Sequence, residues 1–158
     1  MKIIYHCFGG AHASPTTAAI HLKLISNQHL PAITDFKNIS KFDVATSQDH
    51  GKLNYLGVDH LGNEIYIMGR AHQAPLVTNL IKEFVKLSGG NPDDYCFINC
   101  CQSFNLLMVI GGFSSRRLGL VWLGRPLVSL GTLLAFPKLV GIVQKIWISF
   151  NTPHLTKS

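Results

Sequence analysis

Residues 2–8, KIIYHCF, form an apolar, β-branched run that breaks at Gly9-Gly10, after which Ser14-Pro15 opens a helix running to about residue 25. Branched apolar residues in such a run favour a strand. Serine is a favoured N-cap, and proline suits the first helical position. Strand, glycine turn and helix start thus follow one another directly, which is how a parallel sheet begins its first crossover. The same junction is an anion cradle. The first N–H groups of a helix lack partners, and the helix dipole is positive there.

The rest of the chain continues this alternation. Residues 53–58 and 64–68 flank Asp59-His60-Leu61-Gly62-Asn63 and read as a β-hairpin. Over 75–87, Leu76, Val77, Leu80, Ile81, Phe84, Val85 and Leu87 keep helical spacing, and Gly89-Gly90 ends it. Residues 95–99 read as a buried strand, 103–110 as a helix continuing towards 118, 127–130 as a last strand and 138–148 as a last helix. Residues 26–51 read as loop with a short helix. Charged residues make up only 14% of the 158 and hydrophobic ones 47%, where about 25% charge is usual. That composition fits a parallel sheet covered on both faces. The expectation is one α/β domain over 1–158, its last few residues disordered. It has three layers: a mostly parallel four-stranded sheet with helices on both faces, plus an edge strand from the hairpin.

The formal charge of +6 is unevenly placed, because every Asp and Glu lies before residue 95 while Arg116, Arg117, Arg125, Lys138, Lys145 and Lys157 follow it. This favours an anionic partner, either a phosphorylated ligand or a membrane surface, unless the basic face is merely solvated. Nucleic acid is not favoured, since basic and aromatic residues do not interleave. Leu139, Val140, Val143, Ile146, Trp147 and Phe150 beside Lys138 and Lys145 read as packing on the sheet or as a peripheral membrane stripe. No clean membrane span is expected, because Arg116-Arg117 and Pro137-Lys138 interrupt the apolar stretches. Four cysteines without a secretory signal point to a reducing cytoplasm.

In an open parallel sheet, ligands bind beyond the carboxyl ends of the strands. Four groups would gather at that rim: Cys7, Gly9, Gly10, His12 and Ser14; Gly69, Arg70 and His72; Asn99, Cys100, Cys101 and Gln102; and Gly131 with Thr132 after the last strand. Cys7 reads as a thiolate nucleophile or as a small buried residue. Arg70 would be the oxyanion clamp, and His12 or His72 the proton donor. Gly9, Gly10, Ser14, Thr16, His72, Cys101 and Thr132 would bind the ligand. His6 should point away from Cys7, and His21, His29, His50, His60 and His154 read as surface or local-structure residues. Cys7, His12, His72 and Cys101 are suitable metal ligands but lack metal-site spacing, so neither metal nor cofactor is expected. The G-x4-G-K-[ST] phosphate loop is absent.

Two resemblances attach to these residues. IYHCFGGAHAS, GNEIYIMGR, IGGFSSRRLGL and GRPLVSLGT together resemble a domain-of-unknown-function family of spore-forming Firmicutes, which implies a cytoplasmic bacterial protein and carries no activity. Over about twenty residues, Cys7-Phe8-Gly9, Ser14-Pro15 and Ala18-Ala19-Ile20 are similar to the catalytic loop of low-molecular-weight protein tyrosine phosphatases, C-x5-R-S-P. That resemblance implies a cysteine-dependent phosphatase-like hydrolase. Cys7 would be the nucleophile, Ser14 its hydroxyl partner, and the amides of residues 8–13 the phosphate cradle. The family's loop arginine falls on Ala13, however, and no Asp or Glu follows Asp94 to supply its general acid.

Overall fold

β1 (Lys2–Cys7) stops where the branched apolar run stops, and the chain turns through Phe8–His12 into α1 (Ala13–His21). The computed structural model describes residues 1–116 and 121–151. After α1 come two short 3-10 turns, at Ile33–Asn38 and Ser47–Asp49. The hairpin β2 (Asn54–Val58) and β3 (Glu64–Gly69), helix α2 (Ala74–Leu87) and strand β4 (Tyr95–Asn99) follow. Two helices, α3 (Leu106–Arg116) and α4 (Val121–Asn151), complete the order.

The sheet order is β2-β3-β1-β4, with β1 parallel to both neighbours and β2 antiparallel to β3 at one edge. The expected α/β class and mostly parallel four-stranded sheet are therefore present. The chain passes from β1 to β3 on one side and returns to β4 on the other. Strand order thus reverses beside β1, where such sheets open a crevice.

Strand alternation sends Ile3, Tyr5 and Cys7 into one buried cluster with Ala18, Ala19 and Ile20 of α1 and Phe136, Leu139 and Val143 of α4. Ile4 and Met68, of the opposite parity, are fully buried as well. Burying side chains of this size stabilises by roughly 1.5–3 kcal/mol each. α1 has no solvent face, since every residue in it is buried.

Two expectations need correction. Residues 127–130 are not a strand but part of α4, which runs unbroken past Pro126 and Pro137. An apolar run of this kind does not distinguish strand from buried helix, and no turn residues interrupt it. α1 begins at Ala13 with His12 at its cap, so Ser14 lies inside the first turn rather than capping it; the helix also ends at His21, short of residue 25. Of the two readings of the α4 stripe, packing holds for Leu139, Val140 and Val143, which are buried in the core. The expected disorder of the last few residues concerns 152–158, outside the described residues.

Candidate functional site

The turn after β1 is fixed by two glycines, Gly10 in the turn itself and Gly69 at the end of β3. Gly10 has φ +69°, and a methyl group there would lie 2.6 Å from the Gly69 nitrogen; one on Gly69 would lie 2.7 Å from the Gly9 carbonyl oxygen. Only glycine at both places lets the turn cross the end of β3 this closely. Beside Gly9, by contrast, a methyl group would meet nothing within 4 Å. The turn is sealed towards β3 and open at Gly9.

That crossing aims the Gly10 N–H at Cys7. The Gly10 N–H reaches the Cys7 Sγ at 3.2 Å, and the Ser14 Oγ lies 3.1 Å from the same sulfur. Ser14 can do this because it sits in the first turn of α1 rather than at the cap. The helix N-terminus adds positive partial charge on that side. Cys7 is buried, and Cys100 beside it is pushed well above the usual thiol range, mainly by burial.

Arg70 closes the rim between β3 and β4. Its backbone N–H bonds the carbonyls of Cys7 (3.1 Å) and Phe8 (3.0 Å). Its Nε donates to the His6 Nδ1 (3.2 Å) and Nη1 to the Ala71 carbonyl (2.6 Å); Nη2 donates to the Asn99 Oδ1 (3.2 Å) and the Cys101 Sγ (3.1 Å). A guanidinium offers five N–H groups, so four are already engaged within the protein. Burial, then the Arg70 charge, pushes His6 down to about 4, which keeps it neutral as an acceptor. Burial raises the Cys101 thiol, partly offset by Arg70. Arg70 is thus at the rim as expected, but it is held as a strut.

His12 turns its Nε2 to the Asp43 Oδ1 at 3.0 Å and packs edge-on against Phe42, while the other Asp43 oxygen takes the Arg125 Nε at 2.7 Å. His72 packs edge-on against Phe8, and His50 lies on the same ring. Thr16 is fully buried, and its hydroxyl has no hydrogen-bond partner among the described residues. Thr132 does not join the rim: with residues 127–130 helical, it lies within α4 and gives its hydroxyl to the Val128 carbonyl at 2.8 Å. Gly131 is likewise in α4, against Met108.

Nothing in the residue pattern points to Asp43 or Arg125 beside His12, and no motif would reveal them. Asn99 was visible as a rim residue, but its part in holding Arg70 was not. His21, expected near the surface, is instead buried between Tyr5 and Asp59, with the Tyr5 hydroxyl 2.5 Å from Nδ1 and Asp59 3.0 Å from Nε2. No group of three or more potential metal ligands occurs among the described residues.

A family model described as a protein of unknown function, DUF3189, matches residues 2–147. No curated protein and no solved structure matches the chain.

Proposed function

The chain belongs to the DUF3189 family, and on that premise we propose that it binds a small phosphate-like anion on the turn between β1 and α1, with the Cys7 sulfur at the floor of the site. The observation that carries this reading is the turn left open at Gly9 at a helix N-terminus, where the Gly10 N–H and the Ser14 hydroxyl converge on the Cys7 sulfur. The ligand enters from the open side at Gly9, where Phe8, His50 and His72 form the rim. Cys7, Cys96, Cys100 and Cys101 are all free thiols, which supports a cytoplasmic setting.

A second reading, cysteine-dependent phosphatase-like hydrolysis, is favoured by the Ser14–Cys7 contact alone. In it the Cys7 thiolate attacks phosphorus while Arg70 clamps the oxyanion, the ester oxygen leaves with a proton from His12 or His72, and water then hydrolyses the phosphocysteine to free phosphate and the thiolate. Two facts oppose it. Arg70 would have to surrender His6, Asn99 or Cys101 to grip a phosphoryl group, and His12 is already held by Asp43. Binding without turnover is the stronger reading.

Calorimetry with inorganic phosphate, run beside a nitrophenyl phosphate assay, separates the two. Saturable phosphate binding with no turnover is the expected result. Turnover abolished by Cys7→Ser would establish the hydrolase instead, and the absence of both binding and turnover would overturn both.

A further inference from the structure

Helices α3 and α4 lie against one another through glycine. A methyl group on Gly111 would sit 2.7 Å from the Val128 nitrogen, and one on Gly131 would sit 2.7 Å from the Met108 nitrogen. The two helices therefore satisfy each other backbone to backbone. Their outward side chains are not needed for that contact, yet they are apolar. Leu106, Val109, Ile110 and Phe113 make an i, i+3, i+4, i+7 row on α3, all exposed, with Leu106 at 72%. On α4, Leu130 and Leu134 are exposed as well.

The α4 row continues at helical spacing into Lys138, Lys145 and Ile148, all exposed. Neither lysine has a carboxylate partner among the described residues, and no Asp or Glu occurs in the sequence after Asp94. Lysine is depleted in protein interfaces, whereas an apolar row with an aromatic residue and unpaired cations suits the boundary of an anionic bilayer. Gly124–Phe150 is apolar enough to span, with mean hydropathy 1.7, but half of it is buried in the protein. Spanning would strip Leu139 and Val143 from the core, so the helix can lie on a membrane but not cross it.

We propose that the outward face of α3 and α4 docks this protein on the surface of an anionic lipid membrane. The test is flotation of the full-length protein with vesicles of phosphatidylcholine alone and of phosphatidylcholine mixed with phosphatidylglycerol. Binding to the mixed vesicles only is expected. Leu106→Ser with Phe113→Ser, both at exposed positions, should weaken binding at least tenfold while leaving the melting temperature unchanged. Lys138→Gln and Lys145→Gln should each weaken it about fivefold. Failure to float with the mixed vesicles would overturn the proposal, as would equal binding to neutral ones. Self-association that Leu106→Ser with Phe113→Ser abolishes, without vesicle binding, would make the face an interface between copies instead.

Discussion

The two ends of the sheet carry two polar clusters, each built around a buried histidine, with opposite outcomes. At the amino end, Tyr5, His21 and Asp59 form a sealed chain. Asp59 also accepts the N–H groups of Leu61 and Asn63 and the Asn63 amide, so its acceptor sites are filled from inside. Burial disfavours its charge, but these hydrogen bonds outweigh it and hold the carboxyl down to about 2. At the carboxyl end, Cys7, Ser14, Arg70, His6, Asn99 and Cys101 are just as closely connected, yet their turn is open at Gly9 and edged by exposed Phe8 and His72. Both networks specify the fold. What separates a site from a strut is the unfilled side, not the presence of histidine, cysteine or carboxylate.

The largest expected effect falls on the carboxyl end. Gly10→Ala puts a Cβ into the Gly69 backbone at positive φ, and should cost about 3 kcal/mol in urea unfolding. Gly9→Ala, facing open space, should cost no more than about 0.5–1 kcal/mol. Equal losses would erase the distinction between the sealed and open sides of the turn. Next comes the amino end. Asp59→Ala leaves the buried His21 without its Nε2 partner and frees two loop N–H groups, a loss of about 2–3 kcal/mol. Phosphate binding should survive it, and loss of binding at equal folded fraction would show the two clusters to be coupled.

Acid should sharpen the comparison further. His6 is pushed down to about 4, mainly by burial and then by Arg70, and His21 is also lowered, by burial that its Asp59 bond only partly offsets. Between the ordinary histidine value of about 6.5 and about 4, the unfolded chain holds a proton at His6 that the native chain lacks. Stability is therefore full above about 6.5 and falls as pH drops through that window. His6→Asn should flatten the fall in melting temperature over that range, and an unchanged slope would place the acid sensitivity elsewhere. A small effect also falls on Ser14→Ala, which removes one hydrogen bond with the sulfur and should cost about 1 kcal/mol. Its useful readout is slower alkylation of Cys7, followed by peptide mass spectrometry on native protein; an unchanged rate would mean the hydroxyl does not act on the sulfur.

Much of this was legible because it is local. The strand–glycine–helix junction, the hairpin and β4 are each written in a few adjacent residues, and topology alone brings Arg70 and Cys101 to the end of β1. What was hidden depends on long-range placement. Residues 127–130 could not be told from a strand because periodicity is silent in so short a mainly apolar run, and the strand reading carried Thr132 onto a rim it does not occupy. Asp43 reaches His12 only because the 26–51 segment folds back to the turn before α1, with the Asp43 N–H on the Ala11 carbonyl. His21 lies in an ordinary helical stretch, and only the packing of the hairpin turn against α1 supplies Asp59 as its partner.

The central claim is that a phosphate-like anion is held by the turn between β1 and α1. Amide chemical shifts of the isotope-labelled protein, followed during titration with inorganic phosphate against sodium chloride of equal ionic strength, address it residue by residue. The account predicts saturable shifts confined to residues 8–16 and the neighbouring 70–72. Shifts that do not saturate, or that gather on the basic face of α4 while residues 8–16 stay still, would contradict it.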